Sequence, residues 1–361
     1  MFRLLLAFAV FATHAGIEVA GLSLGNPRIA VQAFFMISGF LISYVLNRDG
    51  AYTRLSTFYV NRALRIFPIY WCVAAATAVV WLTFAEVREP VGLNPAALLL
   101  VAVTNVIVVG QDFVIFVQQN GDGLAFSRDF HLAHPSLWEL LTVPPAWSLA
   151  LELYFYLLAP WLVRRVGLMV AVAIGSTALT VIGWQYGLDN DPWTYRFFPF
   201  EISLFVAGAL AERWLLPLVR THATRSSIVA APGVAVGVYL AQGWVPLPEP
   251  ASTIGTLAIL WGLLPFLFLF QHGRTWDVAL GDLSYPLYIC HWLVLTILQL
   301  RPFGASLPPA VPHVLAIPAV LLVSVVLERY VARPVERVRR RIRGHEAPLY
   351  SLALRRDARS G

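Results

Sequence analysis

Hydrophobic residues along the chain gather into long apolar windows separated by short polar segments. A helix needs about 20 apolar residues to cross a bilayer, and windows of that length follow one another almost to the end of the chain. The pattern therefore predicts an all-α polytopic membrane protein with about ten transmembrane helices. The predicted spans are residues 3–22, 29–47, 67–86, 147–163, 166–184, 197–216, 227–243, 252–270, 282–300 and 312–331.

An eleventh apolar stretch, residues 95–117, is interrupted by polar residues, so its path depends on the positions of the basic residues. All 26 of these are arginine, and with the N-terminus inside most of them fall in inner segments, as the positive-inside rule requires. One more crossing would put Arg164 and Arg165 on the wrong side. We therefore predict that 95–117 is re-entrant or interfacial and that both termini are cytoplasmic.

The composition agrees with this topology, because 58% of the residues are hydrophobic and only 13% are charged. Such a chain is not an ordinary soluble domain. The net charge of +6 is explained by inner arginines and requires no nucleic acid. We predict one membrane domain, 1–336, and an arginine-rich cytoplasmic tail, 337–361, which could anchor to anionic lipid.

Ionisable side chains inside spans are costly and by default mark functional positions. Arg3 and His14 are eleven residues apart, so on one helix they share a face and lie roughly 16 Å apart along its axis. His14 is then near the membrane midplane, as a general base or as a hydrogen-bonded core histidine. Glu18 lies one turn further on that face and could orient the ring or lie at the outer interface.

Arg62 and Arg65 are three residues apart before an apolar segment, and a helix would place them on one face. Each could only anchor a helix end. Together with Arg3 they would suit an anionic, phosphate-bearing ligand at the inner surface.

Four further ionisable residues lie in or near the spans, and two of them, Glu152 and His291, have two interpretations each. Glu152, just after the interfacial Trp147, could form the floor of an outward-facing pocket or be a hydrogen-bonded structural residue. Arg196 and Glu201 are expected to pair near the outer end of their span. His291 could line the cavity of His14 or bond a carbonyl freed by Pro286. A metal site is not expected, because His131 and His134 have no further close ligand in the sequence.

Several motifs occur in an order and spacing that resemble the acyltransferase-3 family, the membrane O-acyltransferases that modify bacterial surface glycans and some lipids, peptides and antibiotics. The resemblance runs from about residue 3 to 336 and includes Arg3 with ten residues before His14. The further motifs are FFMISGFLISY, RALRIFPIYW, WSLALELYFYLLAP, LSYPLYICHW and VLERYVARPVE. Two features are expected to depart from the family: Leu153 stands where a second acidic residue is frequent, and an SGNH-hydrolase-like domain is not expected.

The resemblance implies transfer of an acyl group, commonly acetyl, from cytoplasmic acyl-CoA to a hydroxyl on the far side of a bacterial inner membrane. Arg3, Arg62 and Arg65 would then hold the CoA phosphates. His14 would be the base, and Glu152 would hold the acceptor or orient the imidazole. A glycan is the expected acceptor, with a macrolide, lipid or peptide as alternatives and a transporter as the rival class. Residues expected at the cavity or acceptor are Glu18, Trp147, Ser148, Arg196, Glu201, Tyr285 and His291.

Overall fold

The computed structural model describes residues 1–19, 22–47, 52, 54–84, 92–244, 248–300 and 310–342. These residues form packed helices with two short β-hairpins. The α-helices are α1 Phe2–His14, α2 Pro27–Leu46, α3 Leu55–Thr83, α4 Pro95–Ile107, α5 Gln111–Val114, α6 Trp147–Leu162, α7 Val166–Gln185, α8 Trp193–Arg196, α9 Phe198–Leu210, α10 Leu216–His222, α11 Arg225–Ala241, α12 Ala251–Gln271, α13 Thr275–Asp282, α14 Ser284–Gln299, α15 Ala310–Leu327 and α16 Arg333–Ile342.

Short elements connect these helices. The hairpins pair β1 with β2 and β3 with β4, both antiparallel. One π-helical turn joins α9 to α10 and another joins α15 to α16. The strands are Glu18–Val19, Leu22–Ser23, Val117–Asn120 and Gly123–Phe126; the π-turns are Ala211–Leu215 and Glu328–Ala332; the 3₁₀ turns are Phe130–Leu132, Leu137–Leu140, Pro144–Ala146 and Gln242–Trp244.

Within the described ranges, 7 helical segments are long and apolar enough to cross a membrane. The all-α, multi-pass architecture is thereby confirmed. Each predicted span overlaps a helix, but α1, α6 and α11 have 13, 16 and 17 residues, so the number of about ten spans stays a prediction. The seven segments are Pro27–Leu46, Leu55–Thr83, Val166–Gln185, Trp193–His222, Ala251–Gln271, Thr275–Gln299 and Val314–Ile342.

The first predicted span, 3–22, is wrong at its C-terminal end. Helix α1 ends at His14, and Gly16 follows with a φ of 63°, a left-handed conformation that favours glycine. The chain then enters the β1–β2 hairpin, in which Glu18 is paired with Ser23. His14 is therefore at the end of a helix and exposed, not near its middle. Glu18 is on a strand, so the predicted shared helical face does not exist.

The interrupted stretch 95–117 contains the 13-residue helix α4, which is about 20 Å long and so shorter than a bilayer core of about 30 Å. Its polar residues hold the following segment to the rest of the protein. Asn105 donates a hydrogen bond to the Leu140 carbonyl, and Asp112 accepts one from the Tyr154 hydroxyl at 2.8 Å. The first bond fastens α4 to the 3₁₀ turn Leu137–Leu140, and the second fastens α5 to α6.

Helices α2 and α9 approach each other closely at two glycines. A Cβ at Gly39 would collide with the Phe205 carbonyl, and one at Gly208 would collide with the Met36 carbonyl. Small residues allow membrane helices to pack backbone to backbone. This crossing fixes α2, which carries Ser38 into the site described below.

Helix α3 begins at Leu55, well before the predicted span 67–86. Arg62 and Arg65 consequently lie inside a continuous helix, which confirms the helical geometry expected for them. Helix α16 packs against the same part of α3. The described part of α16 crosses the predicted domain boundary at 336, and residues 343–361 lie outside the described residues.

Candidate functional site

The described residues enclose a cavity of about 920 Å³, which we call the arginine cavity. It is lined by Arg3 of α1 and by Arg62 and Arg65 of α3. At its other end it reaches Ser148 of α6 and Tyr288 of α14. Its volume is near the upper end of the range for small-molecule sites, about 300–1,000 Å³. The three predicted arginines are therefore brought together.

Arg62 is held by hydrogen bonds and aromatic rings. Its Nη2 donates to Asn61 Oδ1 at 3.1 Å and to the Tyr52 hydroxyl at 3.5 Å. The guanidinium lies 5.9 Å from the ring centroids of Phe58 and Tyr156. Its Nε is buried and has no hydrogen-bond partner among the described residues. This guanidinium is thus pre-positioned with a donor still unused.

Arg65 is less constrained than Arg62. Its closest acidic partner in the described residues is Asp282 at 3.9 Å, and both side chains are partly exposed. A solvent-accessible pair at that distance contributes little stability, about 0–1 kcal/mol. Arg65 can therefore exchange this partner for an anionic ligand at small cost.

Glu152 lies in the arginine cavity and does not contact His14. Its Oε1 accepts hydrogen bonds from Ser38 Oγ at 2.6 Å and from the Tyr156 hydroxyl at 2.5 Å. These bonds fit the alternative expectation of a hydrogen-bonded structural residue. Its carboxylate instead joins α2 to α6 beside Arg62, because Tyr156 contacts that guanidinium.

Helix α14 presents one face along the route from the arginine cavity to His14. Tyr285 and Tyr288 line the cavity, and His291 follows at the same helical spacing. The Tyr285 hydroxyl donates to the Ile66 carbonyl at 2.7 Å, which fastens α14 to α3. The Tyr288 hydroxyl lies 2.8 Å from Ser148 Oγ. Ser148 and Tyr288 thus line the cavity as a hydrogen-bonded pair.

His291 is completely buried and contacts His14 directly. Its Nε2 lies 2.9 Å from Nδ1 of His14, and the two rings are within 6° of parallel with centroids 5.1 Å apart. That centroid distance is about the N–N distance plus the two ring radii, so the rings are coplanar and meet edge to edge. Neither histidine lines the arginine cavity, and Tyr288 lies between that cavity and His291.

The hydrogen bonds assign the tautomers of both rings. His291 Nδ1 lies 2.7 Å from the Tyr288 carbonyl, which can only accept, so Nδ1 carries the proton. Nε2 of neutral His291 is then an acceptor, and His14 Nδ1 must donate to it. The unprotonated nitrogen of neutral His14 is therefore Nε2. His291 bonds this carbonyl rather than one freed by Pro286.

Aromatic residues surround His14 on the side away from the arginine cavity. Trp292 packs edge-on against His14 at 5.4 Å, and Trp138 contacts Trp292 at 6.4 Å. The ring of Phe130 packs edge-on against Trp138, with the centroids 6.1 Å apart. We call these residues, together with Trp147 and Tyr195 below, the outer aromatic cluster. It provides amphipathic ring surfaces beside an exposed imidazole.

Arg196 lies in this cluster, with its guanidinium 5.4 Å from the ring centroid of Phe130. Its guanidinium is 4.5 Å from the Trp147 ring centroid and 5.1 Å from that of Tyr195. The predicted Arg196–Glu201 pair is wrong. Arg196 instead binds Asp191 with two hydrogen bonds of 2.8 and 3.1 Å.

Glu201 lies apart from both regions. It is 4% exposed and accepts two hydrogen bonds from Gln32 Nε2, at 3.1 and 3.2 Å. Both contacts join α9 to α2, so Glu201 acts as a structural residue in this arrangement. The cavity role expected for it has no support in the geometry, and Glu18 is likewise outside the arginine cavity.

Sequence reasoning missed several partners. Tyr156 is four residues after Glu152 and Tyr288 is three before His291, so helical spacing could have identified both. Asp191 is only five residues before Arg196 in the sequence. Ser38 carried no comparable signal, because its contact with Glu152 joins segments 114 residues apart.

One protein family matches most of the chain. The acyltransferase-3 family model, described as an acyltransferase domain, matches residues 1–329. Neither a curated protein nor a solved structure matches the chain. The matched residues end just before α16 begins. Since the family model covers most of its length, the chain belongs to the acyltransferase-3 family and is a multi-pass membrane acyltransferase.

Proposed function

We propose that the chain transfers an acetyl group from acetyl-CoA to a hydroxyl of a surface polysaccharide or other glycan. The donor is taken from the cytoplasm and the acceptor from the far side of a bacterial inner membrane, with both termini cytoplasmic. One observation carries the proposal: α14 connects an arginine-lined cavity at one end with an exposed His14 at the other. That arrangement suits a donor and an acceptor arriving from opposite sides.

The donor would bind by its charged end. CoA carries phosphates on its nucleotide and an extended neutral arm that ends in the thioester. Arg62 and Arg65, with Arg3 of α1, would bind the phosphates as charge-assisted donors. The arm would then extend along the cavity toward Ser148 and Tyr288. Because Tyr288 lines the cavity and contacts His291, its side chain would have to move for the acyl group to approach His14.

His14 would be the general base. Its Nε2 would accept the proton of an acceptor hydroxyl, and the resulting oxygen nucleophile would attack the thioester carbonyl. The new C–O bond would form as the C–S bond breaks, and the proton would pass from His14 to the departing CoA thiolate. Glu152 would not take part in this proton transfer, since Ser38 and Tyr156 occupy its carboxylate away from His14.

The acceptor would bind in the outer aromatic cluster. Tryptophan and tyrosine rings combine an apolar face with polar edges, which suits the mixed surface of a sugar ring. Trp292 contacts His14 directly, so a sugar stacked there would place a hydroxyl near Nε2. Trp147 is buried, and its ring, together with that of Tyr195, flanks Arg196 and holds this guanidinium beside the cluster.

A labelled-donor assay tests the proposal. Purified protein in vesicles would receive radiolabelled acetyl-CoA on one side and membrane glycan on the other, and labelled ester on the glycan is the expected product. Label recovered on a lipid, peptide or macrolide would replace the glycan as acceptor. Label that crosses the vesicle without ester formation would indicate a transporter and overturn the proposal.

A further inference from the structure

Helix α16 has a buried anchor that fixes its position on the cavity. Arg339 is only 6% exposed and donates to the Asn61 carbonyl at 3.2 Å and to Asn61 Oδ1 at 2.9 Å. The same Oδ1 also accepts from Arg62 at 3.1 Å. The side-chain oxygen of Asn61 thus links Arg339 of α16 to Arg62, which lines the arginine cavity. A tail that only adhered to anionic lipid would not need this buried contact.

The anchor turns a row of arginines toward the arginine cavity. Arg333, Arg337 and Arg340 are spaced by four and three residues, so they share one face of α16, and all three line the cavity. Arg333 and Arg340 have acidic partners at 3.5 and 3.4 Å. Arg337 has neither a hydrogen bond nor an ion pair within the described residues. The helix therefore adds positive charge at a second position, beyond Arg62 and Arg65.

We infer that α16 forms a second phosphate subsite, in which Arg337 with Arg333 and Arg340 binds the 3′-phosphate of the nucleotide of an acyl-CoA. The inference rests on the proposed function. Coenzyme A has two phosphate positions, the pyrophosphate next to its arm and the 3′-phosphate on its ribose. Arg62 and Arg65 lie on α3 beside Ile66, where Tyr285 fastens α14 to α3, so they are next to the arm's route. Helix α16 is anchored instead at Asn61, five residues earlier on α3, and so provides the second subsite.

Binding measurements with matched variants test the inference. Arg337→Gln removes one cavity-lining charge, and Arg341→Gln removes an exposed charge of the same helix that does not line the cavity. Calorimetry on detergent-purified protein would compare coenzyme A, 3′-dephospho-coenzyme A and adenosine 3′,5′-bisphosphate. We expect Arg337→Gln to weaken coenzyme A and bisphosphate binding about tenfold. Arg341→Gln should leave both unchanged, and 3′-dephospho-coenzyme A should bind equally to all three proteins.

Several results would overturn the inference. The first is an unchanged affinity of Arg337→Gln for coenzyme A. The second is an equal loss of affinity in Arg337→Gln and Arg341→Gln. The third is a loss of affinity of Arg337→Gln for 3′-dephospho-coenzyme A as large as its loss for coenzyme A.

A second experiment compares binding of the protein to vesicles with and without phosphatidylglycerol. If Arg337→Gln weakens only association with the anionic vesicles, α16 is an anchor. Failure of the proposed function is separate: the unmutated protein would then bind no coenzyme A, or would bind it and transfer nothing.

Discussion

Nδ1 of His14 lies 2.9 Å from Nε2 of His291, and this contact decides which nitrogen of His14 is unprotonated. Asparagine at 291 would keep a donor for the Tyr288 carbonyl but lose the acceptor for His14. Glutamine would place an amide oxygen near the position of Nε2. We predict that His291→Asn lowers kcat by about 100-fold or more, the range of general-base catalysis, whereas His291→Gln stays within about tenfold.

The tautomer itself can be observed. Nitrogen-15 NMR of histidine-labelled protein should show an unprotonated Nε2 on His14 in the unmutated chain and in His291→Gln. In His291→Asn the two tautomers should mix. His222→Gln, at an exposed histidine, is the control. A fixed tautomer in His291→Asn, or a kcat no lower than that of the control, would remove the positioning role.

Helical spacing predicted the parts of this site that lie within one helix. Arg62 and Arg65 share the helical segment expected for them, because three-residue spacing needs no knowledge of the fold. The His14–His291 contact, in contrast, joins residues 277 positions apart. It depends on the packing of α1 against α14, which a single sequence does not encode in its periodicity.

The errors have a similar cause. The apolar run continues past His14, so hydropathy extended the first span to 22, but the backbone turns at Gly16 into a hairpin. Arg196 and Glu201 are near in sequence, yet α9 begins between them and directs Glu201 toward Gln32 of α2. Hydropathy finds apolar length, whereas the end of a helix depends on local backbone conformation.

His14→Ala is predicted to lower the rate of acyl transfer by about 100-fold or more. Its dissociation constant for coenzyme A should stay within about twofold of that of the unmutated protein. The reason is that His14 does not line the arginine cavity. Product formation and calorimetric coenzyme A binding are the two measurements, with the neighbouring Thr13→Ala as the control. Normal transfer by His14→Ala would exclude it as the base.

Arg65→Gln is predicted to weaken coenzyme A binding about tenfold, because a charge-assisted phosphate contact contributes about 1.5–3 kcal/mol. Arg164→Gln, an exposed arginine that lies outside the arginine cavity, is the matched control. The dissociation constant should also rise with salt in the unmutated protein. An unchanged constant in Arg65→Gln would leave Arg65 with a topological role only.

Glu152→Gln separates a structural carboxylate from a catalytic one. Glutamine can still accept a hydrogen bond from Tyr156, and the Ser38 hydroxyl can turn to accept from the amide. We predict activity within about tenfold of the unmutated protein and a nearly unchanged Tm. Glu152→Ala should lower the stability by about 1–3 kcal/mol, because the buried Tyr156 hydroxyl and the partly buried Ser38 hydroxyl both lose their acceptor. Loss of transfer by Glu152→Gln to the level of His14→Ala would show that the carboxylate takes part in the chemistry.

Gly208→Ala tests the close crossing of α2 and α9. Its new methyl group would meet the Met36 carbonyl, and overpacking of this kind costs about 1–3 kcal/mol. Gly175→Ala and Gly233→Ala add a methyl group where no atom lies within 4 Å. Alanine favours a helix over glycine by about 0.5–1 kcal/mol, so these controls should be neutral or stabilising.

Thermal unfolding in detergent would show whether the melting temperature falls in Gly208→Ala and stays or rises in the two controls. Activity should fall with stability in Gly208→Ala alone, because a shift of α2 would move Ser38 away from Glu152. Equal melting temperatures for Gly208→Ala and the two controls would contradict the backbone contact between α2 and α9. A lower melting temperature with full activity would keep the crossing but separate it from the arginine cavity.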